Sequence, residues 1–248
     1  TAYTITRWKN VLMGMTFFRL ARRYPDGMKK RFIGMVEKEL PDHDMSHFTP
    51  SYNPWDQRVC AVPDSDMFAA IREGRVDIVT DHIERFDAGG IRLKSGKHID
   101  ADVIVTATGL KLEVAGGAAI YKDGERIDFA HRYNYTGVMF SGVPNFAITF
   151  GYTNASWTLK ADLTSEYICR VLNAMDAKGA KSATPTIKPG EDIGEEPMLD
   201  FSSGYVTKAL AYLPKQGAKK PWKLNQNYIK DRYILRHQPV DDGVMVFS

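Results

Sequence analysis

This chain of 248 residues has few cysteines, no long apolar run and almost no excess of one charge. The two cysteines, Cys60 and Cys169, lie far apart, which argues against a disulfide framework or a cysteine metal cluster and favours a reducing cytoplasm. No apolar stretch approaches the roughly 20 residues that span a bilayer, so we predict no integral membrane segment. The 33 basic and 30 acidic residues give a net charge of +3, too small to predict binding to nucleic acid.

The glycine-rich loop of dinucleotide-binding proteins is also missing. That loop, Gly-x-Gly-x-x-Gly between a strand and a helix, lets backbone N–H groups hold a pyrophosphate. The only adjacent glycines are Gly89-Gly90 and Gly116-Gly117, and neither pair opens a helical pattern. The sequence therefore predicts no complete pyrophosphate site of this type.

Metal-binding and nucleophile motifs are absent as well. His43 and His47 are four residues apart, but Pro41 and Pro50 flank them, so we expect a loop rather than a helix that carries two ligands. No Gly-x-Ser-x-Gly elbow occurs. We predict no bound metal.

Apolar residues at intervals of three and four predict helices over residues 5 to 40, with a break at residues 24 to 27. A basic cluster lies around the break, and we interpret it as a solvated helix face. The alternative is contact with a phosphate or with an anionic partner surface. The cluster consists of Arg19, Arg22, Arg23, Lys29, Lys30 and Arg31.

The segment from residue 101 to residue 110 is the most informative part of the chain. Val103 to Val105 predict a buried strand, and Thr108 with Gly109 predict a tight turn at its end. Ligands bind at the carboxyl ends of strands in α/β sheets, so this turn is a candidate binding element.

Shorter elements precede that segment. Residues 66 to 74 predict a short helix, and residues 76 to 80 predict a strand. Residues 81 to 99 alternate between apolar and polar side chains around two glycine turns, which predicts a small antiparallel meander.

The clearest helical pattern follows a second apolar run. Residues 146 to 150 predict a buried strand. An apolar stripe over residues 163 to 175 predicts a helix, which Asn154 or Ser156 can cap at its start and Gly179 at its end. After it, residues 180 to 196 are interpreted as a surface connection, segments 213–217 and 219–222 as loops, and 240–247 as a final hairpin strand.

Three segments together resemble one family. Residues 52–60, 103–110 and 151–160 are similar to the class B flavoprotein monooxygenases, which are the flavin-containing and Baeyer–Villiger enzymes, and the likeness covers nearly the whole chain. The two glycine motifs of that family and its Phe-x-Gly-x-x-x-His-x-x-x-Trp fingerprint are absent. Since Thr1 is also not an initiator residue, we expect a C-terminal half that is inactive by itself.

The resemblance implies a fold class and a division into domains. The fold is expected to be α/β, part of a flavoprotein with two Rossmann-like dinucleotide-binding domains (FAD and NAD(P)), with a helical segment at the N-terminus. Residues 1–100 would belong to the NADP-binding domain with a helical insertion, residues 101–180 to the FAD-binding domain, and residues 181–248 to a loop-rich extension.

The resemblance also implies a reaction. The enzyme would use FAD and NADPH to insert one oxygen atom of O2 into a ketone, or onto the sulfur of a sulfide or thioamide, through a flavin peroxide. Two alternatives stay open: a flavin-dependent oxidoreductase without oxygenation, and an inactive fragment with an interaction role. The oligomeric state is not predicted.

The first candidate site residue is Arg58, whose guanidinium would stabilise the peroxide anion as the resemblance implies. The structural alternative is an ion pair with Asp56 or Asp64 that holds a loop. Gln57 stands where many relatives carry a lysine that meets the 2′-phosphate of NADPH. Because glutamine brings no charge, any preference for NADP must depend on other residues.

The remaining candidates are grouped in three places. Asn154, Ala155 and Ser156 precede the predicted helix, whose positive end would face the reduced flavin; the alternative is a plain capped connection. Thr108 and Gly109 would let the backbone approach a cofactor. In the tail, Trp222 and Asn225 would belong to a loop that closes over nicotinamide and substrate, although tryptophan in such segments is often a core residue.

Overall fold

A computed structural model describes residues 1–57, 59, 60, 62–199 and 201–248. The chain forms two compact units. The large unit contains residues 1–18 and 111–248, and the meander unit contains residues 19–110. Among the helices described, none is long and apolar enough to cross a membrane.

The helices and strands are short apart from three helices. The helices are α1 (Ala2–Arg23), α2 (Pro25–Glu39), α3 (Asp66–Arg72), α4 (Trp157–Lys178), α5 (Gly204–Ala209) and α6 (Tyr228–His237). The strands are β1 (Ile83–Asp87), β2 (Gly90–Leu93), β3 (His98–Asp100), β4 (Tyr121–Lys122), β5 (Glu125–Arg126), β6 (Asn134–Tyr135), β7 (Met139–Phe140), β8 (Ala183–Pro185), β9 (Glu196–Pro197), β10 (Lys215–Gln216) and β11 (Met245–Phe247).

The N-terminal helices confirm the predicted pattern, but the break is confined to Tyr24 and residues 25–27 are helical. Helix α1 ends at Arg23, and α2 begins directly at Pro25. Proline suits the first helical position because its missing N–H would have no partner there and its φ is already helical. Part of the basic cluster pairs within the meander unit: Arg22 donates to Asp56 at 2.8 Å, and Lys29 donates to the Pro50 carbonyl.

The predicted meander is also confirmed. Strands β1, β2 and β3 form an antiparallel sheet in sequence order. His98 on β3 contacts Asp87 through Nε2 at 3.0 Å and Asp100 through Nδ1 at 2.8 Å. Both carboxylates raise the pKa of His98, with Asp87 the larger cause.

The predicted strands at 76–80 and 101–110 are wrong. Neither segment forms a strand, and Val103 and Val105 are 79% and 85% exposed. A β-branched run favours an extended backbone, but a strand also needs a neighbouring strand to receive its hydrogen bonds. No such pairing for residues 101–110 occurs within the part of the chain that is described.

The large unit is built around α4, which the sequence predicts correctly. Ser156 is its N-cap, with Oγ accepting from the Thr158 backbone N–H at 3.4 Å. Gly179 ends the helix in the left-handed conformation at φ 62°. One face of α4 lies in the core of this unit, where Leu163 is fully buried and Tyr167 and Val171 are nearly so.

The core of the large unit joins segments from both ends of the chain. Helix α4 packs on α6, and the first part of α1 contributes Val11. A smaller satellite cluster contains Ile127, Phe129, Phe140 and Val143. Fully burying one such side chain contributes about 1.5–3 kcal/mol.

Several predictions for the large unit need correction. Residues 146–150 form no strand, and only Ala147 makes an isolated bridge, to Met139. The final strand β11 forms no hairpin with its neighbours; it pairs with β8, so residues 180–196 are not simply a surface connection. Ala183 and Ile193 from that segment are buried. Helices α5 and α6 occur where loops or no regular structure were predicted.

The fold is a mixture of helix and sheet, in agreement with the coarse prediction. Every pairing between the strands named above is antiparallel. The parallel sheet of a Rossmann-like domain is not among them, so that finer assignment stays a prediction.

Candidate functional site

The predicted site residues of the meander unit are only partly described. Arg58 lies outside the described residues. Gln57 is half-buried and forms an isolated parallel bridge with Pro54. Thr108 and Gly109 are exposed, and Gly109 has a φ of 116° that side chains rarely adopt.

In the large unit, the predicted residues 154–156 lie on a loop directly before α4. This 151–156 loop begins at Gly151, which is buried against the side chain of Trp157. A Cβ atom at Gly151 would lie 2.2 Å from Cγ of Trp157. The loop can therefore fold back onto its own helix only because residue 151 is glycine.

The start of α4 is chemically suited to an anionic group. Its first turn contains no acidic residue, and Ser156 and Thr158 are exposed. The N-terminal backbone N–H groups and the helix dipole carry partial positive charge there. No carboxylate of the first turn competes for that charge.

Gln226 fastens the 151–156 loop to the segment that precedes α6. Its Oε1 accepts from the Thr153 backbone N–H at 2.9 Å and from the Thr153 hydroxyl at 3.1 Å. The backbone carbonyl of Gln226 accepts from Nδ2 of Asn154 at 3.1 Å. The side-chain amide of Asn154 is therefore committed to protein backbone, and a ligand would meet the loop through other groups.

Asp231 on α6 is the centre of a buried polar network. Its Oδ2 accepts from Nζ of Lys160 at 2.8 Å and from the hydroxyl of Tyr152 at 2.9 Å. Its Oδ1 accepts from Nδ2 of Asn225 at 2.9 Å. The side chains of Lys160 and Asp231 are 2% and 5% exposed, so the ion pair is shielded from water.

Lys160 also binds a turn between β6 and β7. Its Nζ donates to the Thr136 carbonyl at 3.1 Å. A Cβ atom on the next residue, Gly137, would lie only 2.7 Å from that nitrogen. Glycine at 137, with φ 75°, therefore leaves the space that the ammonium group occupies.

Burial alters the protonation of this network. It lowers the pKa of Lys160, against the opposing effect of Asp231. It raises the pKa of Tyr152, and the negative charge of Asp231 raises it further. Tyr152 therefore keeps its proton at neutral pH and acts as a donor to the carboxylate.

The two predicted lid residues lie in different surroundings. Trp222 is 1% exposed and packs edge-on against Tyr135 with ring centroids 5.7 Å apart, so its side chain lies in the core although segment 219–222 is a turn, as predicted. Among the described residues its Nε1 finds no hydrogen-bond partner. Asn225 is half-buried and belongs to the Asp231 network.

The sequence prediction singled out segment 151–160 without naming Tyr152 or Lys160 as site residues, and it missed Gln226 and Asp231. One signal was available for Lys160, because it lies on the same helical stripe as the buried Thr164, Tyr167 and Val171. A charged residue at such a position needs a buried partner. No local pattern identifies Asp231 as that partner. The described residues contain no cluster of three or more potential metal ligands.

Only sequence similarity to individual proteins relates the chain to known proteins. No protein-family profile matches it, and no solved structure matches it. The FAD-containing monooxygenase EthA of Mycobacterium tuberculosis is 49% identical over 249 residues, which cover 100% of this chain and 51% of EthA. EthA of Mycolicibacterium smegmatis is 45% identical over 249 residues, which cover 100% of this chain and 50% of that protein.

A third relative carries a different name. The protein named "Probable FAD-binding monooxygenase AlmA" of Acinetobacter baylyi is 44% identical over 248 residues, covering 100% of this chain and 50% of AlmA. The chain thus spans about half the length of the relatives it matches. The resemblance identified from the three sequence segments is confirmed, and the chain is a homologue of the FAD-containing monooxygenases.

Proposed function

We propose that the natural polypeptide containing these residues is an FAD- and NADPH-dependent monooxygenase. The observation that carries this proposal is the 49% identity to EthA over the whole chain. Its substrates would be ketones, which gain an oxygen atom in a Baeyer–Villiger reaction, or sulfides and thioamides, which are oxygenated on sulfur. Bound FAD would supply the electrons, taken from NADPH, that activate O2.

The 151–156 loop is proposed to meet the electron-rich edge of the flavin. The support is the unopposed positive charge at the start of α4 and the exposure of Ser156. Ala155 and Ser156 would present backbone N–H groups, while Asn154 would shape the loop through its bond to Gln226. Thr108 and Gly109 are proposed to let a cofactor approach the backbone of the meander unit.

Arg58 is proposed to supply a fixed positive charge where negative charge develops during oxygen transfer. A guanidinium stays protonated in proteins, and removal of one such stabilising group costs about 10²–10³-fold in rate. We expect Arg58→Ala to lower product formation by about that factor. The matched control is Arg75→Ala, which removes an arginine that is 65% exposed and pairs with Glu73 in the same unit. Equal rates in the two variants would contradict the assignment.

The whole proposal is tested on the natural polypeptide, because the relatives are about twice as long as this chain. We expect a yellow protein that releases FAD on denaturation and consumes NADPH with O2. Mass spectrometry with isotopically heavy oxygen gas should find one heavy oxygen atom in the product. A protein without flavin would refute the proposal. NADPH oxidation that yields only hydrogen peroxide would favour the alternative oxidoreductase.

A further inference from the structure

The carboxylate of Asp231 gathers donors from three separate segments of the large unit. Tyr152 belongs to the 151–156 loop, Lys160 to α4, and Asn225 to the segment before α6. All three donors lie within 2.9 Å of a carboxylate oxygen. One buried charge therefore holds the 151–156 loop, α4 and the segment before α6 at fixed distances from one another.

A second set of hydrogen bonds acts on the same loop. Gln226 is next to Asn225 and binds Thr153 and Asn154. Three successive residues of the loop, 152 to 154, are thus bonded to the segment 225–231. Movement of Asp231 would be transmitted to the loop through Tyr152 and also through Asn225 and Gln226.

The composition of the network indicates more than a stabilising contact. Two charges that are 2% and 5% exposed lose their hydration, and a well-packed apolar pair is often as stable or more stable. Hydrogen bonds to a charged group, however, impose direction and distance, which apolar packing does not. A network of this kind is suited to holding a loop in one position.

We propose that Asp231, with Lys160 as its counter-ion, is a positioning residue that sets the 151–156 loop for the reaction. The inference rests on the proposed function, in which this loop meets the flavin. Because both side chains are buried within the network, the effect reaches the loop through Tyr152. A displacement of about 1 Å at a reaction centre can lower a rate by as much as about 10²-fold, so the loop position matters.

The sharpest test removes the direct hydrogen bond between Asp231 and the loop and leaves the indirect route through Asn225 and Gln226 in place. Tyr152→Phe deletes the hydroxyl and retains the ring and the Lys160–Asp231 pair. The matched control is Tyr167→Phe, which deletes another buried hydroxyl of the large unit, one that donates to Tyr135 at 3.3 Å and does not contact the loop. Both variants are made in the natural polypeptide.

We expect Tyr152→Phe to lower kcat by at least about tenfold with a smaller change in KM, and to alter the visible spectrum of the bound flavin. Amide hydrogen exchange of residues 153–157 should become faster. Tyr167→Phe should leave kcat, the spectrum and this exchange unchanged.

The proposed monooxygenase function and the positioning role of Asp231 would be refuted by different results. If the unsubstituted protein binds no flavin, the proposed function is refuted and this inference with it. If it binds flavin and turns over, but Tyr152→Phe and Tyr167→Phe have equal kcat and equal exchange, the positioning role alone is overturned. Equal losses of kcat accompanied by equal losses of thermal stability would assign Tyr152 an ordinary structural role, which also overturns the inference.

Discussion

Replacing Lys160 by methionine should be the most destabilising single change in the polar interior of the large unit. Methionine is close to lysine in length, so it creates little empty space, but it removes the ammonium group. Asp231 is then left 5% exposed with no positive partner. It keeps two donors, the hydroxyl of Tyr152 and Nδ2 of Asn225, while the Thr136 carbonyl loses the lysine donor.

The expected size of the effect follows from that burial. Breaking a buried ion pair by removing one partner costs about 3–5 kcal/mol, because the remaining charge stays without compensation. The same substitution at an exposed pair gives the reference value. Lys215 pairs with Glu195 at 2.9 Å, with side chains 34% and 55% exposed. We expect Lys215→Met to cost at most about 1 kcal/mol.

Replacing Asp231, the partner of Lys160, should make the free energy of unfolding depend on pH in a defined direction. In Asp231→Asn, burial still lowers the pKa of Lys160 below that of the unfolded chain, and the opposing carboxylate is gone. A lysine with a lowered folded pKa releases its proton more easily in the folded state. The free energy of unfolding of this variant should therefore increase with pH over the interval below 10.5, the ordinary lysine pKa.

Urea unfolding followed by circular dichroism measures all of these differences. The reasoning would be refuted if Lys160→Met were no more destabilising than Lys215→Met. It would also be refuted if Asp231→Asn lost stability as the pH was raised over that interval.

Three further outcomes are expected. Gly151→Ala should displace the half-exposed ring of Trp157, with a loss of about 1–3 kcal/mol and altered tryptophan fluorescence; unchanged values would contradict the tight contact. His98 should titrate by NMR above its ordinary pKa of 6.5, since Asp87 and Asp100 favour its charged form. The stabilisation of the meander by this contact should be complete below that pKa and lost as the pH rises through the higher folded value, which hydrogen exchange of β3 would detect. The isolated 248-residue chain should be colourless, because it lacks the glycine loops that hold pyrophosphates; flavin bound to it would contradict this expectation.

The elements that were predicted correctly depend on short-range signals. The break between α1 and α2 follows from Pro25, and the ends of α4 follow from Ser156 and Gly179. The meander follows from alternating residues around glycine turns. In each case the residues that decide the structure lie within a few positions of one another.

The predictions that failed depend on partners far away in sequence. The β-branched run at 103–105 has the composition of a buried strand, yet it is exposed and unpaired in the described chain. Strand β11 pairs with β8, some 60 positions earlier by its residue numbers. Composition indicates that a segment can be a strand, but it does not specify which segment pairs with it.

The candidate site was likewise predictable from the sequence only in part. Sequence similarity by itself determined the relationship to the FAD-containing monooxygenases, and the capping pattern located the 151–156 loop at the start of α4. Only the tertiary structure brought Asp231 to Lys160, which is 71 positions away. Helix α6 was missed because one of its buried positions is that aspartate, and a buried charge breaks the apolar period by which helices are recognised. Its burial is stable only next to the lysine of α4, so packing decided what the local pattern did not.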